Sequence, residues 1–193
     1  PVNTDEHDAA IALSPDGSQL FIYKGEGEGD IYLSKKKGLV WTKPESLGDK
    51  VNLPKTSELS CSISSDGKTL YFASRGHVGM GGSDLFVSKM DAKGFWGKPQ
   101  NLGYPINTKY DENSLLVSPI GDIAFFASDR TGGYGDLDIY YFQLPEDFRP
   151  TKTLYFDGNV FDENVPHITL IQRLSGGEVT LNEYDGLPFR VNF

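Results

Sequence analysis

Three carboxylates recur at one position of the sequence, and their spacing points most directly to a site. Asp8, Glu58 and Glu112 each lie six residues ahead of the serine that opens a predicted tight turn. A ring of carboxylates at the mouth of a channel could bind a cation or a basic segment of a partner protein. The same groups could instead accept backbone N–H bonds from a neighbouring unit. Both interpretations stay open, and we favour the structural one because a residue present in every unit ordinarily serves the unit.

The other reactive side chains form no recognisable catalytic or metal-binding pattern. His7, His77 and His167 have no His or Cys partner at metal-ligand spacing. Cys61 falls within an apolar predicted strand, where a buried thiol is the expected role. The sequence has no Gly-x-Ser-x-Gly motif of the kind that presents a hydrolase nucleophile. We therefore predict no catalytic residue, no metal and no cofactor, and expect that the chain is not an enzyme.

Further charged residues recur in the three units, and we interpret them as turn residues and ion pairs between units. They are Asp30, Asp84 and Asp138 with Lys24, Arg75 and Arg130.

Composition excludes several classes of partner. The chain has 193 residues and a formal net charge of −9, so it does not suit a phosphate backbone. It contains no apolar run near the roughly 18 residues that span a bilayer.

The elements that must position these residues are short strands. Glycine and proline interrupt the sequence often, with 22 and 11 copies, and the apolar residues between them form short runs rich in Ile, Val, Tyr and Phe. A unit of roughly fifty residues recurs, beginning at Asn3, Asn52 and Asn107. Each unit continues with a Ser-led turn, an apolar strand, a Gly-rich loop and an Asp-led strand. The chain therefore reads as all-β.

Each unit corresponds to a small antiparallel sheet with apolar residues on both faces. Such a sheet must stack on similar sheets to bury them, which is the arrangement of β-propeller blades. Three units are visible, whereas closed propellers have 4 to 8 blades. Two explanations stay open: further blades lie outside this chain, or residues are absent between the segments.

The motifs also carry a family resemblance. The pattern of turn, strand, Gly-rich loop and Asp-led strand in Ser64–Phe86 and Ser118–Tyr140, with a looser copy in Ser14–Tyr32, resembles the WD40-like propeller repeat of TolB and tricorn-type proteins. With Gly132–Gly135 and the closing Trp96–Gly103, it is similar to the propeller of Bacteroidetes OmpA-family outer-membrane lipoproteins. That family includes the peptidoglycan-associated component of the type IX secretion system.

The resemblance implies a domain order. Residues 1–148 would form part of a WD40-like β-propeller, and residues 149–193 part of a small carboxypeptidase-regulatory-like β-sandwich domain. Within the second part, Thr153–Asp162 resembles an opening strand, Pro166–Leu170 a second strand and Tyr184–Asn192 the last strands.

The resemblance implies a function as well. We expect a non-catalytic protein-interaction or scaffold module, located in the periplasm and associated with the outer membrane. Its partners would be outer-membrane or secretion-system proteins, including the type IX machinery, with no nucleic acid. Peptidoglycan binding and membrane anchoring would depend on modules that we do not see in these residues. One alternative is the propeller of a peptidase or glycan-processing enzyme, gating a catalytic domain elsewhere. Another is a carbohydrate-binding module that uses Tyr104, Tyr110 and Tyr134.

Overall fold

The described part of the protein is all-β, as the sequence predicts. A computed structural model describes residues 2–153, 167–174 and 177–185. The chain divides into two compact units, Pro1–Lys152 and Thr153–Phe193. In the described residues of the first unit, the only helical element is a single 3₁₀ turn, Glu146–Phe148.

Three antiparallel sheets follow one another along the first unit, one for each repeat. In sheet I, β1 to β4 are neighbours in order and β5 pairs with β3; the strands are β1 (Asp8–Leu13), β2 (Gln19–Lys24), β3 (Asp30–Lys37), β4 (Val40–Trp41) and β5 (Glu45–Ser46). Sheet II consists of β6 (Glu58–Ile63), β7 (Thr69–Ser74), β8 (Asp84–Lys89) and β9 (Gln100–Asn101). Sheet III consists of β10 (Glu112–Val117), β11 (Ile123–Ser128) and β12 (Asp138–Gln143).

The turns between the first two strands of each sheet use the chemistry that the sequence predicts. In sheet I, Gly17 has a φ of 69° and donates its N–H to the carbonyl of Ser14 at 2.8 Å. Asp16 accepts the N–H of Ser18 at 3.0 Å, which closes the turn. Glycine occupies a positive φ at no steric cost, so the two strands can pair immediately beyond the turn.

Sheet II lies between the other two sheets and buries both of its faces. All six residues of β7 are buried. On one face, Leu70 and Phe72 pack with Phe21 and Ile31 of sheet I, and Trp96 joins this core at 6% exposure. Side chains of a strand alternate between faces, so the intervening residues of β7 point to sheet III.

The second core fills the space between sheets II and III. Tyr71 and Leu85 of sheet II pack with Leu115 and Phe126 of sheet III. The chain beyond β12 also contributes, because Leu144 is fully buried there. Tyr71 satisfies its buried hydroxyl by donating to the carbonyl of Phe148 at 2.7 Å.

Two asparagine side chains connect neighbouring sheets through backbone groups. Asn52 accepts the N–H of Ile31 at 3.1 Å and donates to the carbonyl of the same residue at 2.8 Å. Asn107 repeats both contacts with Leu85, each at 2.8 Å. We call these pairs of hydrogen bonds the asparagine bridges. Each one attaches the first residues of a repeat to the third strand of the repeat before it.

Sheet III has one face that no described residue of the first unit covers. Its exposed apolar residues are Leu116 (63%), Phe125 (45%), Ile139 (82%) and Tyr141 (73%). The Phe125 and Tyr141 rings have centroids 6.1 Å apart, so they form one patch. We call this patch the outer face of sheet III.

The second unit contains a described antiparallel hairpin. It is formed by β13 (His167–Leu174) and β14 (Gly177–Asp185), with a register shift between Leu170 and Ile171. The predicted opening strand, Thr153–Asp162, lies almost wholly outside the described residues. The assignment of residues 149–193 to a regulatory-like β-domain stays a prediction.

The asparagine bridges give the first testable prediction. Replacing Asn107 with alanine leaves the buried N–H of Leu85 without a partner, whereas the Leu85 carbonyl keeps the N–H of Leu102 at 3.1 Å. We expect the free energy of unfolding to fall by about 1 to 3 kcal/mol, which is the cost of one unsatisfied buried group. Urea unfolding followed by circular dichroism measures this change.

Asn3 provides the matched control, since it holds the same position in the first repeat but is exposed. Asn3→Ala should change the unfolding free energy of the monomer by no more than about 0.5 kcal/mol. Equal effects of Asn3→Ala and Asn107→Ala would contradict a bridging role.

Candidate functional site

The three repeated carboxylates lie at equivalent places in the structure. Asp8, Glu58 and Glu112 are the first residues of β1, β6 and β10, the strands that open the three sheets. Glu58 and Glu112 have no exposed surface, and Asp8 is half-buried. Each position brings the carboxylate next to the end of the second strand and the segment ahead of the first strand, and these supply its hydrogen bonds.

Glu112 has the most complete set of partners. It accepts the N–H of Thr108 at 2.9 Å and the hydroxyls of Thr108 and Ser128 at 2.6 and 3.1 Å. Arg130 donates to it at 3.1 Å, forming a salt bridge that is largely buried. The guanidinium of Arg130 also lies 4.9 Å from the ring centroids of Phe126 and Tyr140, which position the cation.

Asp8 repeats this scheme with different partners. It accepts both the N–H and the hydroxyl of Thr4, and Lys24 lies 3.5 Å from its other oxygen. The backbone N–H of Thr4 is the main reason that the pKa of Asp8 lies below its ordinary value; burial opposes the shift, while the Thr4 hydroxyl and Lys24 add to it. Asp8 therefore stays ionised and is held by its own repeat.

Glu58 departs from the other two because no Lys or Arg among the described residues forms a salt bridge with it. Its Oε1 lies 2.7 Å from the Ser74 hydroxyl, and it accepts the N–H of Leu53 at 3.3 Å. The imidazole of His77 is close by, with Nδ1 3.9 Å from Oε1. Burial raises the pKa of Glu58 to about 7, despite the opposing hydrogen bond from Ser74.

Ser74 connects Glu58 to His77 through its hydroxyl. Its Oγ lies 2.7 Å from Glu58 and 2.9 Å from Nδ1 of His77, while Nε2 of His77 lies 2.9 Å from the carbonyl of Lys50. The Lys50 carbonyl can only accept, so Nε2 carries a proton. Two arrangements then satisfy the chain. In the first, protonated Glu58 donates to Ser74, whose hydroxyl donates to Nδ1 of neutral His77; in the second, protonated His77 donates to Ser74, whose hydroxyl donates to ionised Glu58. Burial lowers the pKa of His77, which favours the first arrangement.

A cavity of about 400 Å³ lies beside this chain of hydrogen bonds. Its walls include Leu53, Val78, Phe86 and Pro99, with His77 at one side. The sequence analysis assigned no role to His77 and did not find the cavity, since the walls come from four separate segments. Gly76 is the one local signal, because a Cβ there would lie 2.1 Å from the Thr56 hydroxyl. Glycine at this position lets the loop that carries His77 lie against the segment ahead of β6.

These contacts support the structural interpretation of the repeated carboxylates. Their oxygens are directed to hydrogen bonds within their own repeats, rather than to the neighbouring unit that we expected to supply the N–H groups. The described residues contain no group of three His, Cys, Asp or Glu side chains able to hold a metal ion. A partner-binding role for Asp8, Glu58 and Glu112 stays a prediction, and it would require the buried oxygens to be released.

The second set of repeated charges has two different roles. Asp84 accepts the N–H groups of Met80 and Gly81, and Asp138 accepts those of Tyr134 and Gly135, so both shape the loop ahead of their strand. The cations do not pair with these aspartates. Lys24 and Arg130 contact Asp8 and Glu112, as described above, while Arg75 joins repeats two and three by pairing with Asp111 at 3.0 Å. Cys61 is buried and free, and burial raises the pKa of its thiol.

Comparison with known proteins identifies a fold but no family. No protein-family model matches the sequence, and no curated protein matches it. Among solved structures, TolB from Acinetobacter baumannii is similar over 99% of this chain and 44% of its own, with 20% identity and a TM-score of 0.51. The chain therefore spans less than half the length of that protein.

Two further structures show weaker similarity. A structure described as that of a putative TolB from Agrobacterium tumefaciens has 19% identity and a TM-score of 0.38 over 98% of this chain and 84% of its own. Prolyl oligopeptidase B from Galerina marginata has 14% identity and a TM-score of 0.39 over 91% and 27%. The similarity to the Acinetobacter protein supports the predicted fold: the three sheets are blades of a TolB-like β-propeller. In the described residues, no helix has the length and apolar character needed to cross a membrane.

The buried carboxyl of Glu58 gives a pH-dependent prediction. Its pKa of about 7 in the folded chain exceeds the ordinary value of 4.5, so the folded state holds a proton that the unfolded state releases between these pH values. Its contribution to the free energy of unfolding should therefore decrease as pH rises from about 5 to 8, by about 3 kcal/mol. Glu58→Gln should remove this component, as measured by urea unfolding across that pH range.

Glu112→Gln is the matched control at the equivalent position of the next repeat. It leaves Arg130 without its carboxylate partner and should destabilise the fold at pH 8 as well as at pH 5. His77 contributes with the opposite sign, so the quantity to compare is the difference between wild type and Glu58→Gln. Parallel pH profiles for these two proteins would contradict a raised pKa.

Proposed function

We propose that this chain is a non-catalytic protein-interaction module that functions in the periplasm. The observation that carries the proposal is a set of exposed apolar side chains on loops that are fixed in place. These loops follow the second strand of sheets II and III, and the connection between the two sheets lies beside them. We call this the loop surface; its apolar residues are Val78, Met80, Tyr104, Tyr134 and Leu137.

The loop surface is held by hydrogen bonds from neighbouring segments. Asn101 donates to the carbonyl of Val78 at 3.3 Å. Arg130 donates to the carbonyls of Pro105 and Ile106 at 3.2 and 2.6 Å, which fixes the connection that carries Tyr104. A surface that is ordered before binding loses less conformational entropy when a partner docks.

The composition of the loop surface suits a protein partner. Val78 is 94% exposed, Tyr104 77%, and Tyr134 fully exposed. Tyrosine and methionine are enriched at protein interfaces, and tyrosine buries a large area while losing little side-chain freedom.

The finer assignment rests on the resemblance of the repeats to OmpA-family propellers. On that basis the module would associate with the outer membrane and connect a complex, such as the type IX secretion machinery, to peptidoglycan. Carbohydrate binding is the second candidate, favoured by the exposed rings of Tyr104 and Tyr134, whereas Tyr110 is half-buried beneath Lys109.

Site-specific photocrosslinking in the native host tests the proposal. A benzophenone side chain at position 134 should form a covalent adduct with an envelope protein, because this position lies on the loop surface. The same side chain at position 39 is the control, since Leu39 is 97% exposed but follows the far end of β3. Mass spectrometry identifies the adduct, and Val78→Ser should reduce its yield severalfold.

Two outcomes would contradict a protein-binding role for the loop surface. One is equal crosslinking from positions 134 and 39. The other is the absence of any protein adduct together with glycan binding that is lost in Tyr134→Ser, which would favour the carbohydrate-binding alternative.

A further inference from the structure

The turn that joins β3 to β4 in sheet I brings lysines and exposed apolar side chains together. Residues 35–37 are three consecutive lysines at the end of β3, and Leu39 and Val40 follow them across the turn at Gly38. All six residues from 35 to 40 are exposed, with Leu39 at 97% and Val40 at 66%. We call residues 35–43 the basic hairpin.

The basic hairpin is a local positive charge on an acidic protein. The stretch between Asp30 and Glu45 contains four lysines and no acidic residue, whereas the whole chain has a net charge of −9. In the described part of the chain, no salt bridge joins any of these four lysines to a carboxylate. Charges more than about 10 Å apart are largely screened at ordinary ionic strength, so a surface that touches the hairpin meets its lysines rather than the net charge of the chain.

The two strands of the basic hairpin pair up to the turn itself. Lys36 pairs with Trp41 and Lys37 with Val40, and Gly38 between them has a φ of 61°. Glycine adopts this conformation at no steric cost, which allows so short a turn. Because the strands stay paired up to the turn, few backbone groups would lack a partner if the tip entered an apolar medium.

The exposure of this tip does not depend on which sheets lie beside sheet I. Phe95 precedes Trp96 in sheet II as Val40 precedes Trp41 in sheet I. Phe95 is 66% exposed, although sheet II packs against a sheet on each of its faces. This turn of the repeat therefore projects beyond the cores, and its apolar groups stay outside even in a sheet that is covered on both sides.

We propose that the basic hairpin docks on an anionic phospholipid bilayer. Leu39 and Val40 would enter the boundary between headgroups and acyl chains, and the lysines would contact lipid phosphates. Lysine is depleted at protein interfaces, whereas at a bilayer its stem covers apolar surface while its ammonium group reaches the headgroups. Trp41 is half-buried at the base of the hairpin, where its indole ring would lie at headgroup level.

The bilayer and the loop surface would use opposite ends of the strands. The basic hairpin follows the end of β3, whereas the loops of the loop surface precede the third strands of sheets II and III. Both surfaces could therefore be occupied at once. The bilayer proposal does not depend on the protein-binding role of the loop surface, and the two fail in different experiments.

Flotation of the full chain with lipid vesicles tests the proposal. The vesicles consist of phosphatidylcholine alone or of an equimolar mixture with phosphatidylglycerol. We expect binding to the anionic vesicles alone and release by high salt, which screens the lysines. Leu39→Ser should lower the partition coefficient by about tenfold, through the loss of buried apolar area. The double variant Lys36→Gln, Lys37→Gln should lower it by at least about tenfold, through the loss of two charges near the lipid surface.

Matched controls make the same chemical changes away from the basic hairpin. Val78→Ser removes an apolar side chain that is 94% exposed, and the double variant Lys55→Gln, Lys109→Gln removes two exposed lysines that precede the first strands of sheets II and III. Each control should bind anionic vesicles as the wild type does.

A fluorophore at the tip separates docking on a bilayer from attraction to any acidic partner. Leu39→Cys labelled with nitrobenzoxadiazole should shift its emission to shorter wavelength on anionic vesicles, whereas the same label on Val78→Cys should not. The native Cys61 is buried, which protects it from the label.

Three results would overturn the proposal. The first is the absence of binding to anionic vesicles. The second is binding that neither Leu39→Ser nor the Lys36→Gln, Lys37→Gln variant reduces. The third is salt-sensitive binding with no emission shift at position 39, which would indicate that the lysines serve a soluble acidic partner instead.

Discussion

The connection between successive sheets depends on a hydrogen-bonded asparagine at the start of each repeat. A sheet with two apolar faces has no fixed orientation on its neighbour unless directional contacts add to the burial of area. Asn52 and Asn107 supply these contacts, because each satisfies both backbone groups of one residue on the preceding sheet. Their burial makes the arrangement costly to break, since the freed N–H of Ile31 or Leu85 would remain out of reach of water. The relative positions of the loops, the carboxylates and the cores depend on how these asparagine contacts orient one sheet on the next.

The repeated carboxylates occupy equivalent positions in the three sheets, but their hydrogen-bond and ion-pair partners differ. Asp8 and Glu112 are paired with a cation, and their charge is compensated where it is buried. Glu58 lies in the central sheet, where the equivalent space holds Ser74 and His77 instead. Burial without a permanent cation makes protonation favourable near neutral pH, so one repeat out of three becomes sensitive to pH. The cavity beside His77 is also lined by the exposed residue Val78, so the pH-sensitive groups lie close to the protein surface.

The apolar surfaces of the protein fall into two kinds. The loop surface combines exposed aromatic and aliphatic groups with loops that are hydrogen-bonded to neighbouring segments, and it suits a partner that docks on a preformed shape. The outer face of sheet III is instead formed by side chains on paired strands, at positions whose equivalents in sheets I and II are buried by the next sheet. Both surfaces consist of residues at repeated positions of the sequence.

The sequence by itself determined the three repeats, the all-β character and the position of the turns. These features depend on residues a few positions apart, such as Asp16 and Gly17 in a turn, or on alternating apolar residues within one strand. Only the tertiary structure decided which repeated residues are buried and what they contact. Tyr71 and Phe125 occupy the same position of the repeat, yet the first is buried and the second is 45% exposed. The difference arises because burial depends on the sheet that lies opposite, and that neighbour is fixed by contacts between residues far apart in the chain.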